Sequence, residues 1–258
     1  MLKPIVNLLR LFNLVYYHLF KILDNFLPTS NWTLELSLYF KISPSKIIQA
    51  YQQKRPQAAQ LWTKKPRQQI KQIFSFYSET DYWVYRQIYF NRHKVFLDIA
   101  LALILKPKGR LCEYGGGVGP VTHWLINKFP KWQYQIIDLD CPVLKFSRWR
   151  FKDKSNVSFK IVNSVIPPLH DNFDVIVCKQ VLEHVPDPLI IVQQLVKHLN
   201  PGGWLFVDYV NNPGRENLTR SAKKRQEVLK HLNNHLQAIF KINPDKPHEG
   251  YGLYLKKL

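Results

Sequence analysis

The spacing of hydrophobic positions divides the chain into a helical N-terminal part and a later part of alternating strands and helices. Residues 29–80 carry little glycine and contain helix-compatible runs at 44–53, 57–62 and 67–77, which predict an α-helical cap. From about Asp81 to Leu105 the pattern predicts one further helix, which ends at Lys106-Pro107-Lys108-Gly109. Beyond this point short apolar runs alternate with helical ones, as a doubly wound parallel sheet requires.

Residues 1–28 form an apolar segment whose polar positions recur at helical steps. These positions are Lys3, Asn7, Arg10, Asn13, His18, Lys21 and Asp24. They lie along one stripe of a helix and leave a broad apolar face. No apolar run approaches the roughly 20 residues of a membrane span, and no signal-peptide pattern is present. The segment is expected either to lie on a membrane surface or to pack on the body or a second subunit.

The later part of the chain contains five apolar runs that predict strands, followed by two more near the end. The expected strands are 111–114, 134–138, 159–162, 173–178, 204–207, 238–242 and 251–255. Helices are expected over 189–199 and from about 215 to 237, and the last two strands are expected to pair. The pattern therefore predicts an α/β fold with a mostly parallel, doubly wound seven-stranded sheet.

The most informative motif is Glu113-Tyr114-Gly115-Gly116-Gly117-Val118-Gly119-Pro120, which joins a short apolar strand to a helix start. A turn without side chains lets backbone N–H groups approach a ligand closely, beside the positive dipole end of the helix. The dinucleotide fingerprint G-x-G-x-x-G needs a glycine where Pro120 stands. The spacing therefore indicates another class of ligand.

The pattern E-x-G-x-G-x-G resembles motif I of the class I S-adenosylmethionine (SAM) dependent methyltransferases. The segment 134–138 resembles the second strand of that family and places Asp138 23 positions after Gly115, close to the spacing at which an acid meets a ribose hydroxyl. Further matches are the runs FDVI at 173–176, LEHVPDP at 182–188 and NPGG at 200–203. The resemblance covers about residues 95–210, is strongest to small-molecule enzymes, and implies a Rossmann-like sheet with SAM as cofactor.

The resemblance also implies a cofactor site. Three glycines would line SAM with their backbone: Gly115, Gly117 and Gly119. Glu113 would orient the loop or the methionine amino group. Asp138 would accept the ribose hydroxyls, and it is preferred over Asp140 because it directly follows the apolar run.

Contacts to the adenine and from the cap are expected at three further positions. Family members carry an acid after the third strand, where this chain has Asn163, whose amide oxygen can also accept a hydrogen bond. Tyr82 and Tyr85 lie in a segment that related methyltransferases use to cover the cofactor. The alternative for both tyrosines is core packing, because aromatic residues at helical spacing are commonly buried.

His184 is the candidate general base, since it follows the fourth strand at the ligand-binding edge of the sheet and imidazole titrates near neutrality. The alternatives are a histidine that closes a loop or that only touches SAM; Lys179 and Gln180 are nearby polar candidates. The segment 178–181 lacks the proline motifs of base and amide N-methyltransferases and of cytosine-C5 enzymes. No carboxylate pair is placed to hold magnesium, so no metal is expected.

The composition favours an anionic partner and a reducing compartment. The chain has 37 Lys and Arg against 18 Asp and Glu, a net charge of +19, which attracts nucleic acid, anionic lipid or a phosphorylated substrate. A solvated basic surface is an equally good explanation. The cysteines, Cys112, Cys141 and Cys178, form no zinc or disulfide pattern. The expected location is the cytoplasm, either free or peripheral on a membrane.

These features predict three parts: an amphipathic helix over 1–28, a helical cap or lid over 29–90, and a methyltransferase domain over 91–258. The expected activity is SAM-dependent methylation, on oxygen, of a small molecule, sugar or amphiphilic acceptor, with an anionic or lipid-linked substrate preferred over nucleic acid. One alternative is an RNA methyltransferase, which the charge favours. The other is a non-catalytic scaffold on a SAM-binding fold, which the glycines and Asp138 oppose.

Overall fold

The computed structural model describes residues 2–27, 30–65, 67, 69–211 and 218–258, with side chains for all of these except residues 62 and 63. The helices are α1 Leu2–Leu23, α2 Trp32–Phe40, α3 Pro44–Lys64, α4 Ile70–Ser78, α5 Tyr82–Asn91, α6 Leu97–Ile104, α7 Pro120–Leu125, α8 Pro142–Arg150, α9 Pro188–Lys197 and α10 Thr219–His235. The strands are β1 Arg110–Tyr114, β2 Gln133–Leu139, β3 Val157–Val162, β4 Phe173–Cys178, β5 Leu199–Asp208, β6 Gln237–Phe240 and β7 Tyr251–Leu255.

The seven strands form one sheet in the order β3-β2-β1-β4-β5-β7-β6. Strands β1 to β5 are parallel, β7 is antiparallel to β5, and β6 is antiparallel to β7. The predicted α/β fold with a mostly parallel sheet and a final strand pair is confirmed. The chain moves outward in one direction from β1 and in the other from β4, so the topological switch point lies between these two strands.

Helices cover both faces of the sheet. On one face α9 and α10 pack through residues such as Val192, Leu195 and Leu232, and on the other α6 and α7 pack through Leu103 and Leu125. A strand buried on both faces needs apolar side chains at consecutive positions. This requirement explains the apolar run Val175–Cys178 of β4. In β2 the buried Gln135 interrupts the run between Tyr134 and Ile136.

Helices α2 to α5 form a cap with its own hydrophobic core, which also includes Val143 and Phe146 of α8. The Arg150 guanidinium pairs with the Glu35 carboxylate of the cap, and its Nη1 donates to the Val118 carbonyl oxygen at 2.8 Å. This arginine therefore holds the cap against the glycine-rich loop.

The helices of the N-terminal part differ from the predicted runs at three points. Helix α2 is an additional element. Helix α3 continues through Pro56 and joins two runs that the pattern separates, because a single proline costs one backbone hydrogen bond without ending a well-packed helix. The single helix expected over 81–105 is divided into α5 and α6, and between them Arg92 Nε and His93 Nε2 contact Asp24 Oδ2 at 2.7 and 2.5 Å.

The first and last helices, α1 and α10, can be compared with the helices predicted near the two ends of the chain. Helix α1 confirms the helical character of the N-terminal segment, and it packs against α6 and β6. In the parts of the chain that the structure describes, no helix is both long and apolar enough to cross a bilayer. The start expected for the last helix, at residue 215, lies outside the described residues, and α10 is described from Thr219.

Candidate active site

Two adjoining pockets open over the carboxyl ends of β1, β2 and β4, at the switch point of the sheet. The first, of about 880 Å³, surrounds Asp138 with mostly apolar walls, and we call it the Asp138 pocket. The second, of about 1260 Å³, contains Lys94 and Lys179, and we call it the lysine pocket. Residues that line both are Tyr77, Gln87, Tyr114, Gly115, Gln180 and His184. The two pockets therefore form one continuous cleft.

Of the glycine-rich loop, Gly115 lines both pockets and Gly116 lines the lysine pocket. Gly117 and Gly119 lie outside both linings, and Gly119 packs against Ile136 and Phe151 at the start of α7. Gly115 and Gly117 have φ angles of +66° and +53°, a region that residues with a Cβ rarely adopt. A Cβ on Gly115 would lie 2.2 Å from Val181 Cγ2, and one on Gly117 would lie 2.1 Å from Gln87 Oε1. Both positions therefore require glycine for conformation and for space.

Glu113 is buried beneath this loop and binds the start of helix α7. Its Oε1 accepts the Val121 N–H at 3.0 Å, and its Oε2 accepts the Thr122 N–H at 2.9 Å and the Thr122 hydroxyl at 2.7 Å. Burial raises the Glu113 pKa to about 7, although the hydrogen bonds from Thr122 and Val121 act in the opposite direction. Of the two roles expected for Glu113, this geometry corresponds to orienting the loop; contact with an amino group stays a prediction.

Asp138 lies at the carboxyl end of β2 and lines the pocket named after it. Its Oδ2 accepts the Gly117 N–H at 2.6 Å and its Oδ1 accepts the Leu139 N–H at 2.7 Å. Burial raises the Asp138 pKa to about 6, partly offset by these two backbone donors. A carboxylate has about four acceptor sites, so capacity remains for a ligand. Asp140, the competing acid, is exposed and lies outside both pockets.

Asn163 follows β3 directly, but its side chain is exposed and lies outside the two pockets. Its neighbours Val162 and Ser164 line the Asp138 pocket instead. An adenine contact from Asn163 stays a prediction that this geometry does not favour.

Helix α5 presents two different faces, and the cleft uses the one that sequence reasoning passed over. One face lines the lysine pocket with Trp83, Arg86, Gln87, Phe90 and Asn91. The predicted contacts, Tyr82 and Tyr85, lie on the other face, buried in the cap core. Their rings stack on Tyr51 at 5.7 Å and on Phe40 at 4.8 Å between centroids. The structure thus places both tyrosines where the alternative of core packing expects them.

Gln87 takes the position over the loop that the tyrosines were expected to hold. Its Oε1 accepts the Val118 N–H at 3.0 Å, and its side chain lines both pockets. Tyr77 of α4 lines both as well. The sequence pattern that could have identified this face of α5 is the helical spacing of Arg86, Gln87 and Asn91. Polar residues on one face of a buried helix commonly indicate a polar cavity.

His184 ends a 3₁₀ turn, Leu182–His184, that follows β4 and faces both pockets. Helix α10 and the residue before it hold this turn, because Ser221 Oγ donates to the Leu182 carbonyl at 2.6 Å and the Leu218 N–H donates to the Glu183 carbonyl at 2.9 Å. His184 Nε2 lies 3.9 Å from Oε1 of the buried Glu183, at ion-pair distance. A proton taken up by the imidazole would therefore be stabilised by a neighbouring carboxylate.

Three cations, Lys94, Lys179 and Arg86, and one buried carboxylate, Glu113, line the lysine pocket, and Asp208 lies near its lysines. Burial lowers the pKa of Lys94, the positive charge of Lys179 lowers it further, and Asp208 opposes the effect. Burial raises the pKa of Asp208, and its Oδ1 accepts the Gln180 N–H at 2.5 Å. Lys94 and Lys179 share the Asp208 carboxylate, and together with Arg86 the cations outnumber Asp208 and Glu113, which leaves an excess of positive charge in the pocket. Lys94 gave no signal in the sequence, since it belongs to a loop between two helices.

Within the described ranges, no three side chains of His, Cys, Asp or Glu lie close enough together to hold a metal ion. The three cysteines are free and buried, and burial raises the pKa of each thiol. The polar groups available to a ligand in the cleft are therefore carboxylate, imidazole, ammonium, amide and phenol.

The chain is similar in sequence to one protein family and to curated relatives. A family described as "Methyltransferase domain" matches residues 82–241, from α5 to just beyond β6. The ubiquinone biosynthesis O-methyltransferase of Xanthomonas campestris pv. campestris is 31% identical over 118 residues, which cover 45% of this chain and 48% of that protein. The protein of the same name from Leptothrix cholodnii is 48% identical over 42 residues, 16% of this chain and 18% of that one. The chain thus spans about half the length, or less, of these curated relatives.

The chain is also similar to solved structures. The N-methyltransferase NodS from Bradyrhizobium japonicum is 16% identical, with a TM-score of 0.48 over 63% of this chain and 94% of that one. An O-methyltransferase structure from Klebsiella pneumoniae is 16% identical, with a TM-score of 0.48 over 64% of this chain and 83% of that one.

Proposed function

The chain belongs to the methyltransferase-domain family, and from this membership we propose that it transfers a methyl group from SAM to a hydroxyl oxygen of a small anionic acceptor. One observation carries the proposal. A single cleft at the switch point joins a mostly apolar pocket, lined by the carboxylates of Asp138 and Asp187, to a basic pocket, and His184 lies where the two meet. The first pocket has the character of a nucleoside site and the second that of an acceptor site.

The residues of the Asp138 pocket fit the cofactor. The apolar walls formed by Leu139, Val143 and Val162 suit a flat adenine, and the Asp138 carboxylate suits a vicinal diol because it can accept from both hydroxyls. Gly115 lines the same pocket and lets Val181 pack directly on the loop backbone. When bound, SAM would supply an electrophilic methyl group on a sulfonium.

His184 would act as the general base. Its imidazole would accept the proton of the acceptor hydroxyl, and Glu183 would stabilise the resulting imidazolium at the 3.9 Å ion-pair distance. The 3₁₀ turn fixes the ring at the boundary between cofactor and acceptor. Proximity of this kind supplies much of the rate in a displacement between two bound groups.

The lysine pocket would bind the acceptor. Lys94 and Lys179 suit a carboxylate or phosphate, while Trp83, Phe90 and Phe96 add apolar and aromatic surface to the same walls. An amphiphile with a hydroxyl, an anionic group and an apolar body, free or lipid-linked, matches this lining. The relatives are named ubiquinone biosynthesis O-methyltransferases, which supports a small molecule as acceptor and methylation on oxygen.

The first test is calorimetric titration of the purified chain with SAM and with its demethylated product. Saturable binding supports the proposal, whereas absence of binding in a folded protein favours the scaffold. Transfer of labelled methyl groups is then measured on hydroxybenzoates, on matched anilines and on total RNA. The proposal expects label on the hydroxybenzoates; transfer to RNA alone would assign the basic charge to a nucleic-acid enzyme.

The His184→Asn variant tests the base. We expect kcat to fall by about 10²–10⁴-fold while SAM affinity stays the same. The Lys94→Gln variant is the matched test of acceptor binding, and it should raise KM for a hydroxybenzoate more than for its neutral methyl ester. Equal effects on acid and ester would contradict an anionic acceptor.

A further inference from the structure

Helix α1 rests on the protein through Arg10 and Asn13 of its polar stripe and directs its apolar face toward solvent. Val6 is fully buried, the Arg10 guanidinium lies 3.7 Å from the centroid of the Tyr251 ring, and Asn13 Nδ2 donates to Asp98 Oδ1 at 3.0 Å. On the other side, eight large apolar side chains are each 48–67% exposed: Ile5, Leu8, Leu11, Phe12, Leu14, Val15, Leu19 and Ile22.

This orientation of α1 is the reverse of the one that burial of apolar surface away from water would favour. A surface helix normally buries its apolar stripe and exposes its charges, and an exposed apolar patch on this scale commonly marks a site of association. The patch continues past the helix end, where Phe26 and Leu27 are exposed as well. Because polar contacts to Tyr251 and Asp98 hold α1 in this orientation, the apolar face is presented by the fold itself.

The charge along α1 identifies what this face meets. Lys3 and Lys21 are both exposed and, at 18 residues apart, lie on the same side of the helix. Residues 2–23 contain no Asp or Glu. The next acid, Asp24, is paired with Arg92 and His93 of the body. The border of the apolar face is therefore basic, and the whole chain carries a net charge of +19.

We propose that α1 docks the protein onto an anionic lipid bilayer, with the helix axis in the plane of the interface. The apolar side chains centred on Leu8 and Val15 enter the boundary of the acyl chains, and Lys3 and Lys21 lie among the anionic headgroups. A second copy of the chain matches the patch less well, because pairing two such faces brings two basic borders and two strongly cationic proteins together.

The docked helix lies next to the lysine pocket. Tyr251 receives Arg10 of α1 on its ring and also lies 5.4 Å from Lys179 Nζ, while Asp24 contacts His93, which precedes Lys94. Docking would therefore bring the lysine pocket close to the lipid surface. This consequence rests on the proposed function: an acceptor drawn from the bilayer would have a short path to the site.

The test is flotation of the full chain with vesicles of phosphatidylglycerol and phosphatidylcholine, and with vesicles of phosphatidylcholine alone. The double variant Leu8→Gln/Val15→Gln should lose at least tenfold in affinity for the anionic vesicles. The control Leu38→Gln/Ile48→Gln, which removes exposed apolar side chains from the cap, should change affinity less than twofold. Each of Lys3→Gln and Lys21→Gln should cost about fivefold, on anionic vesicles only.

Three results would overturn the proposal: no binding of the unmodified chain to anionic vesicles, equal binding by Leu8→Gln/Val15→Gln, or equal loss in the cap control. Sedimentation velocity is run on the same samples. A dimer that the double variant converts to a monomer, without vesicle binding, would instead assign the face to a second copy. SAM titration of each sample keeps the two proposals apart, since loss of vesicle binding with intact SAM affinity concerns α1 alone.

Discussion

The glycine-rich loop and helix α5 approach the same cleft from opposite sides, but they depend on different kinds of information. In the loop, Gly115 and Gly117 are required by their own backbone conformation and by the Cβ that neither position can hold. In α5, every position is helical, and only the face that a residue occupies decides whether it meets the cleft. Gln87 contacts the loop, whereas Tyr85 is buried in the cap.

This difference teaches that one side of the site is specified locally and the other by packing. A left-handed turn between a strand and a helix can be recognised from a few consecutive residues. The rotation of a helix about its axis depends on what packs behind it, which here is a set of aromatic rings from α2 and α3. The following variants, in order of expected effect, test this contrast.

Gly117→Ala should have the largest effect. The positive φ would cost an alanine about 1–2 kcal/mol of unfolding free energy, and the new Cβ would displace Gln87 from its contact with the loop. We expect SAM affinity to fall by on the order of 100-fold, measured by calorimetry. The matched control is Gly202→Ala in β5, which has a φ of +70° but lies away from the cleft. It should lose stability and keep SAM affinity; equal loss of affinity would mean that strain alone explains the effect.

Asp138→Asn should follow, with a loss of about 10–100-fold in SAM affinity, because a charged acceptor is replaced by a neutral one. The unmodified protein should bind SAM best above about pH 7. Since burial raises the Asp138 pKa to about 6, its affinity should fall as the pH drops through 6 and the carboxylate takes up a proton. The variant should lack the fall near pH 6 and keep only the dependence that Glu113, whose pKa burial raises to about 7, contributes in both proteins. A profile that is the same in both proteins would remove Asp138 from the binding site.

Gln87→Ala should weaken SAM binding by about tenfold, since it removes the acceptor of the Val118 N–H, a bond worth about 1 kcal/mol, together with part of the wall of both pockets. Tyr85→Phe, on the opposite face of the same helix, should change SAM affinity less than twofold. If Tyr85→Phe has the larger effect, the cleft-facing side of α5 has been assigned to the wrong residues and the contrast with the loop fails.

Asn163→Ala should have the smallest effect, less than twofold on SAM affinity, because its side chain lies exposed outside the Asp138 pocket. Ser164→Val, at a position that lines this pocket, should have the larger effect of the two. The same calorimetric titration measures both. A marked loss with Asn163→Ala would restore the adenine contact that the family resemblance implies.

Much of the central fold follows from local patterns in the chain. The central strands β1 and β4 follow apolar runs closely, because strands buried on both faces must be largely apolar at consecutive positions. The final strand pair also lies at its predicted runs, although β6 at the sheet edge is half-buried or exposed throughout. The helices of the cap follow less closely. The pattern divides α3 near Pro56, although the helix continues there because of its packing in the cap. The pattern also joins α5 to α6, because the contacts of Asp24 with Arg92 and His93 between these helices are not local in the chain.

Sequence alone determined the doubly wound, mostly parallel sheet, the family resemblance, the glycine turn and the place of Asp138 at a strand end, because each depends on short motifs of residues close together in the chain. Tertiary structure decided which side chains contact each other when they are far apart in the sequence. It brought Gln87 and Lys94 into the cleft and turned the apolar face of α1 outward. The physical reason is that the rotation of a helix and the burial of a charge are set by distant partners, which hydrophobic periodicity does not encode.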